Sequence, residues 1–127
     1  MAPTVLSVDD EPDMTDLARL HLHRVGYEVL TASSGRQAIE TVHARHPDLV
    51  LLDLMLPDID GFSVCDILRS DPATAAIPII IVSAWSTSDA RATGFEYGVL
   101  DYVTKPFSPQ ELIARVNRLL GPRPSPA

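Results

Sequence analysis

Asp9-Asp10, Asp53, Ser83 and Lys105 are the residues of this sequence whose types suit polar chemistry if the fold brings them together. Three clustered carboxylates repel one another and raise each other's pKa unless a cation sits among them. A hard divalent ion resolves that conflict. Mg²⁺ suits it, because it takes one or two carboxylates, keeps several waters and leaves a position for a phosphate oxygen. Asp53 differs from the other two acids: it precedes the loop Leu54-Met55-Leu56-Pro57, where a carboxylate can be presented to phosphorus as a nucleophile. Lys105 and Ser83 are then suited to hold phosphoryl oxygens, by charge and by hydrogen bond. Plainer readings exist for each. Asp9-Asp10-Glu11 before Pro12 can cap a helix and complement its dipole, and Asp53 can be an ordinary carboxylate where a strand meets a loop.

The elements that position these residues decide between the readings. The chain has 127 residues, 46% hydrophobic and 21% charged, which fits one globular domain and excludes a multidomain enzyme. Four short runs are almost continuously apolar, Val5 to Val8, Asp48 to Leu52, Ile77 to Val82 and Val99 to Val103, and read as strands covered on both faces. Tyr27 to Thr31 reads as a further strand. Between them lie helical stripes: Met14, Leu17, Ala18, Leu22 and Val25; Ala38, Ile39 and Val42; and Leu112, Ile113, Val116, Leu119 and Leu120. Pro12 fits a first helical turn, Ser108-Pro109-Gln110-Glu111 is a capping box, and Gly121-Pro122 stops the last helix. Strand and helix alternate, so the domain is α/β with a parallel sheet. In such sheets ligands bind beyond the carboxyl ends of the strands. Asp9-Asp10, Asp53 and Ser83 stand at three of those ends, and Lys105-Pro106 follows a fourth.

Along Val8-Asp9-Asp10-Glu11-Pro12, Asp53-Leu54-Met55-Leu56-Pro57-Asp58-Ile59-Asp60-Gly61, Pro78-Ile79-Ile80-Ile81-Val82-Ser83-Ala84 and Tyr102-Val103-Thr104-Lys105-Pro106-Phe107, the sequence resembles the receiver domain of two-component response regulators. The resemblance runs from about Thr4 to Leu120. It implies a flavodoxin-like sheet of order 2-1-3-4-5 flanked by five helices, a receiver domain over 1–121 and a Pro-rich tail or start of a linker over 122–127. It further implies that Asp53 accepts a phosphoryl group from a sensor histidine kinase or phosphotransfer protein. Asp9, Asp10, Asp53 and the Met55 backbone carbonyl then hold Mg²⁺, and Lys105-Pro106 is a cis peptide. Ser83 and Tyr102 match the family's switch pair, which alters the surface of helix four, strand five and helix five for partner binding or dimerisation. Met55 and Trp85 stand at the two positions that flank the path of hydrolytic water. Arg91 with Glu111 and Asp101 with Arg115 resemble two ion pairs of the homodimer formed on phosphorylation by the winged-helix transcription-factor branch. Leu100 and Pro122 stand where a third pair belongs.

Competing chemistries fit less well. A haloacid-dehalogenase-type phosphatase needs an aspartate two positions after its nucleophile, but Met55 follows Asp53 at that spacing and Glu11 follows Asp9. A flavodoxin needs a phosphate-cradling loop after strand one, where this chain carries acids. The complete set of acids, hydroxyl and lysine argues against a degenerate receiver. Among the histidines, His21 and His23 are two apart and point to different faces of a helix, so His21 reads as a packing residue of the first stripe rather than a ligand. Cys65, the one cysteine, excludes an internal disulfide and reads as core of the third helix near Phe62 and Leu68.

Charge and hydropathy bound the partners. Ten Lys and Arg against 17 Asp and Glu give a formal charge of −7, so direct nucleic-acid binding by this chain is not expected. The apolar run Ile77 to Trp85 is far short of the roughly 20 residues of a spanning helix, and no signal-peptide pattern precedes it. A cytoplasmic protein without a membrane partner is expected.

Overall fold

The computed structural model describes residues 2–121, and the tail expected over 122–127 lies outside them. The apolar runs pair as one parallel sheet of β1 (Thr4–Val8), β2 (Glu28–Ala32), β3 (Leu49–Leu52), β4 (Ile79–Ser83) and β5 (Asp101–Thr104), in the order β2-β1-β3-β4-β5. Register follows from burial on both faces, with Val8 beside both Ala32 and Leu52, and Leu52 beside Ile81. Successive strand residues point to opposite faces. Leu6, Val8, Val50, Leu52, Ile79 and Ile81 therefore enter one core cluster, and Val5, Leu49, Leu51, Ile80 and Val82 enter the other.

Five helices cover these clusters: α1 (Pro12–Arg24), α2 (Gly35–Arg45), α3 (Gly61–Ser70), α4 (Ser88–Glu96) and α5 (Pro109–Leu120). Ala38 and Val42 of α2 and Val64, Cys65 and Leu68 of α3 pack on the first cluster, whereas Ala18 and Leu22 of α1 and Leu112 and Val116 of α5 pack on the second. The buried side of α1 is Thr15, Ala18 and Leu22 rather than the wider stripe expected, with Leu17 left exposed. Thr15 is accommodated there because its hydroxyl donates to the Pro12 carbonyl at 3.0 Å. At the start of α5, Ser108 Oγ accepts from Glu111 N at 3.1 Å, while the Glu111 carboxylate lies 4.0 Å from Arg115, one turn along the helix. Among the described residues no helix is long and apolar enough to cross a membrane.

Candidate functional site

The carboxyl ends of β1 and β3 are neighbours in the sheet, and the main chain holds them level, with Asp53 N donating to the Val8 carbonyl at 3.1 Å. Asp9 and Asp53 thus emerge side by side. Carboxylate oxygens of Asp9, Asp10 and Asp53 lie within 4.8 Å of one another, with Asp9 and Asp53 buried and Asp10 exposed. Backbone donors fix two of them: Asp9 Oδ1 accepts from Glu11 N at 3.0 Å, and Asp53 Oδ1 accepts from Met55 N at 3.2 Å.

Lys105 reaches this cluster from the end of β5, through a cis Lys105-Pro106 peptide and a hydrogen bond from Lys105 N to the Ser83 carbonyl at 3.0 Å. Its ammonium lies 2.5 Å from Asp9 Oδ2 and 3.1 Å from Asp53 Oδ2. Burial is the largest single influence on Lys105 and works against its charge, but the hydrogen bonds and charges of Asp9 and Asp53 together hold its pKa above the ordinary lysine value. One ammonium among three carboxylates leaves the pocket acidic. An all-oxygen donor set with two residual negative charges fits a hard divalent cation, and the exposure of Asp10 leaves room for the waters such an ion keeps.

Ser83, the last residue of β4, is fully buried, and its Oγ accepts from Trp85 N at 3.2 Å. The Tyr102 ring is also buried, and its hydroxyl donates to the Trp85 carbonyl. Burial raises the Tyr102 pKa, the Arg91 charge opposes that and Asp53 adds to it. The Arg91 guanidinium lies 4.9 Å from the Tyr102 ring centroid and donates to Thr104 Oγ1 at 2.6 Å. Met55 and Trp85 are both largely solvent-facing, at 64% and 47% exposure, and the Trp85 ring packs edge-on against Phe62. On the α4, β5 and α5 side, Arg115 pairs within the chain, 2.6 Å from Asp101 Oδ1 and 4.0 Å from Glu111. Within the chain, Arg91 engages Thr104, and the Glu111 carboxylate lies near Arg115.

Three features escape sequence reasoning. Asp58 caps α2 from a distance, accepting from Gly35 N at 2.8 Å and Arg36 N at 2.9 Å, and the Arg36 amide leads the contacts that lower its pKa. Gly61 packs so closely on the loop after Asp53 that a Cβ there would lie 2.7 Å from Leu54 Cα. Phe62 joins Trp85 to Tyr97. The run Asp58-Ile59-Asp60-Gly61 was the available signal for the first two. The third had none, since its rings come from distant segments.

A five-stranded parallel sheet with an acid and lysine pocket at its carboxyl edge defines a flavodoxin-like α/β domain with a candidate cation site. The family model described as the response regulator receiver domain matches residues 5–117, and the chain belongs to that family, whose members act in two-component signalling. It is 42% identical over 118 residues to the DNA-binding dual master transcriptional regulator RpaA of a Synechocystis species, covering 93% of this chain and 49% of that protein. It is likewise 42% identical over 120 residues to the alkaline phosphatase synthesis transcriptional regulatory protein PhoP of Bacillus subtilis, covering 94% and 49%. The chain thus spans about half the length of these curated relatives. Among solved structures, a response regulator from Chloroflexus aurantiacus superposes with a TM-score of 0.89 at 39% identity, covering 94% of this chain and 98% of that one.

Proposed function

We propose that Asp53 accepts a phosphoryl group from a phosphohistidine on a sensor histidine kinase or phosphotransfer protein. The observation that carries this reading is the placement of the Asp53 carboxylate at the end of β3, 3.1 Å from the Lys105 ammonium and clustered with Asp9 and Asp10. An Asp53 carboxylate oxygen attacks phosphorus, its O–P bond forms as the N–P bond breaks, and the donor imidazole leaves with the electron pair. Asp9, Asp10, Asp53 and the Met55 carbonyl would hold Mg²⁺, which when bound would supply neutralising charge to the phosphoryl oxygens. Lys105 turns from the bare carboxylates to one phosphoryl oxygen, and Ser83 donates its hydroxyl to another.

About −1.5 to −2 charges added to an acidic pocket are tolerable only when these groups gather round them. Ser83 and Tyr102 carry that local change to the surface of α4, β5 and α5, which binds a partner or a second copy. The chain is a phosphoacceptor that assists its own phosphorylation and dephosphorylation rather than an enzyme on a separate substrate. RpaA and PhoP are named as transcriptional regulators. With a formal charge of −7, this domain acts on transcription through its partner surface rather than by touching DNA. Acetyl phosphate with Mg²⁺ is expected to add one base-labile phosphoryl group to the intact mass, mapping to Asp53. An undiminished adduct in Asp53→Asn would remove Asp53 as the acceptor.

A further inference from the structure

Residues 84–87, between β4 and α4, have no regular secondary structure, yet the buried hydroxyls of Ser83 and Tyr102 both depend on them. Trp85 N donates to Ser83 Oγ at 3.2 Å, and the Trp85 carbonyl accepts from Tyr102. A serine hydroxyl has one donor and two acceptor sites. Accepting from Trp85 therefore leaves the Ser83 proton to be donated elsewhere. Rotation of the main chain at Trp85 would disturb both contacts at once.

A side chain holds that short segment. The Trp85 ring meets Phe62 edge-on, with centroids 5.9 Å apart and planes at 62°. Phe62 also stacks on Tyr97, which follows the last turn of α4, at 5.7 Å and 18°. One ring therefore touches the segment before α4 and the residue after it. Phe62 is itself fixed to the acceptor loop, because it follows Gly61, whose N–H donates to the Leu54 carbonyl at 2.9 Å.

We propose that Phe62 is a positioning residue for phosphoryl acceptance: by clamping the Trp85 ring it fixes the main chain that orients Ser83 and Tyr102. The proposal rests on the phosphoacceptor reading above. Phe62 offers no polar group, so its contribution is packing alone, transmitted from the loop after Asp53 to the loop after Ser83.

Trp85 is the only tryptophan, so its emission reports the clamp directly in the 127-residue chain. Phe62→Ala is expected to red-shift Trp85 emission and lower its anisotropy before any phosphodonor is added. It should also slow acetyl-phosphate labelling by about two- to tenfold, the factor that one aromatic pair of ordinary strength supplies, with the calorimetric Mg²⁺ midpoint unmoved. Phe62→Tyr keeps the ring and should restore both emission and rate. If Phe62→Ala melts early, Phe62→Leu is measured in its place. Released Trp85 emission with a parental labelling rate overturns the proposal, as does parental emission in the ring-deleted variant. A parent that takes no phosphoryl group overturns the phosphoacceptor reading itself, and the donor-free emission comparison keeps that failure distinct from a failure of the clamp.

Discussion

Lys105 Nζ lies 2.5 Å from Asp9 Oδ2, in a pocket where both side chains are almost wholly buried. Replacing Lys105 with Met removes the ammonium and leaves Asp9 facing Asp53. The expected loss of stability at neutral pH is on the order of 3 kcal/mol, the cost of stranding one side of a buried pair. Burial alone would lower the Lys105 pKa, but Asp9 and Asp53 hold it above the ordinary value. Its contribution is therefore fully present below the unfolded lysine pKa and lost as pH rises through the folded one. Urea melts of parent and variant should differ most at neutral pH and converge in strongly alkaline solution, with Mg²⁺ narrowing the neutral gap. A gap that widens with alkali would show that the ammonium is not what stabilises the pocket.

Gly61→Ala places a methyl group 2.7 Å from Leu54 Cα and 2.8 Å from the Asp53 carbonyl, both of them backbone atoms. Main chain cannot swing aside as a flexible side chain can, so α3 and the acceptor loop must separate. The expected destabilisation is about 1–3 kcal/mol, typical of overpacking. Slower acetyl-phosphate labelling should accompany it. A urea midpoint matching the parent would mean that the loop yields without strain.

Strand ends made the site legible in the sequence. Asp9, Asp10, Asp53 and Lys105 each sit beside an apolar run, and in a parallel sheet the ends of such runs converge, so local patterning was enough to assemble the acid and lysine cluster. Helix faces were less legible. Leu17 matched the apolar spacing of α1 yet faces solvent, whereas Thr15 is buried because its hydroxyl finds a carbonyl within its own helix. Contacts between rings and charges of distant segments were not legible at all: Arg91 lying over Tyr102 and Phe62 joining Trp85 to Tyr97 both depend on tertiary placement.

His43 ties the end of α2 to the end of α3, with Nε2 2.7 Å from Asp71 Oδ2 and Nδ1 2.9 Å from the Ile39 carbonyl. Only the imidazolium can donate from both nitrogens. The Asp71 hydrogen bond, followed by the Ile39 carbonyl, raises the His43 pKa, and the His43 contact leads those that lower Asp71. The His43 contribution is present below the ordinary imidazole pKa and lost as pH rises through the raised value. The Asp71 contribution is present above the ordinary carboxylate pKa and lost as pH falls through the lowered one. The clasp is thus strongest from weakly acidic to near-neutral pH. An NMR titration should place the His43 midpoint above about 6.5 in the parent and lower in Asp71→Asn. Equal midpoints would show that the contact is not held in solution.

Asp101 is buried with one oxygen shared by Arg115 and Tyr102 N and the other, Oδ2, without a hydrogen-bond partner. Arg115→Ala therefore leaves a poorly satisfied buried carboxylate, and a loss of about 1–2 kcal/mol is expected. The same residue lies on the surface where a phosphorylated homodimer is expected. Exposed ion pairs there contribute about 0–1 kcal/mol each, so they set register more than affinity. Sedimentation of beryllofluoride-treated protein should show a dimer that Arg115→Ala weakens. Treated parent remaining monomeric at high concentration would count decisively against that interface.

On the proposed phosphoacceptor reading, the lifetime of the phosphoryl group is expected to depend on Met55 and Trp85. Neither side chain can act as a general base or orient water through a carboxylate or amide. Both are large, and Trp85 is steadied by Phe62, so its ring is not free to swing away as an isolated loop residue would be. Slow hydrolysis is therefore expected for a receiver. Met55→Asn combined with Trp85→Ala supplies an amide and removes the cover, and the combined variant should lose phosphate faster. A tenfold acceleration corresponds to about 1.4 kcal/mol off the barrier. Phe62→Ala alone is expected to give a smaller acceleration, because it frees the Trp85 ring without removing it. Phosphate release followed after removal of acetyl phosphate reads all three proteins, and a combined variant that decays no faster than the parent would end the case for these two residues as a barrier to water.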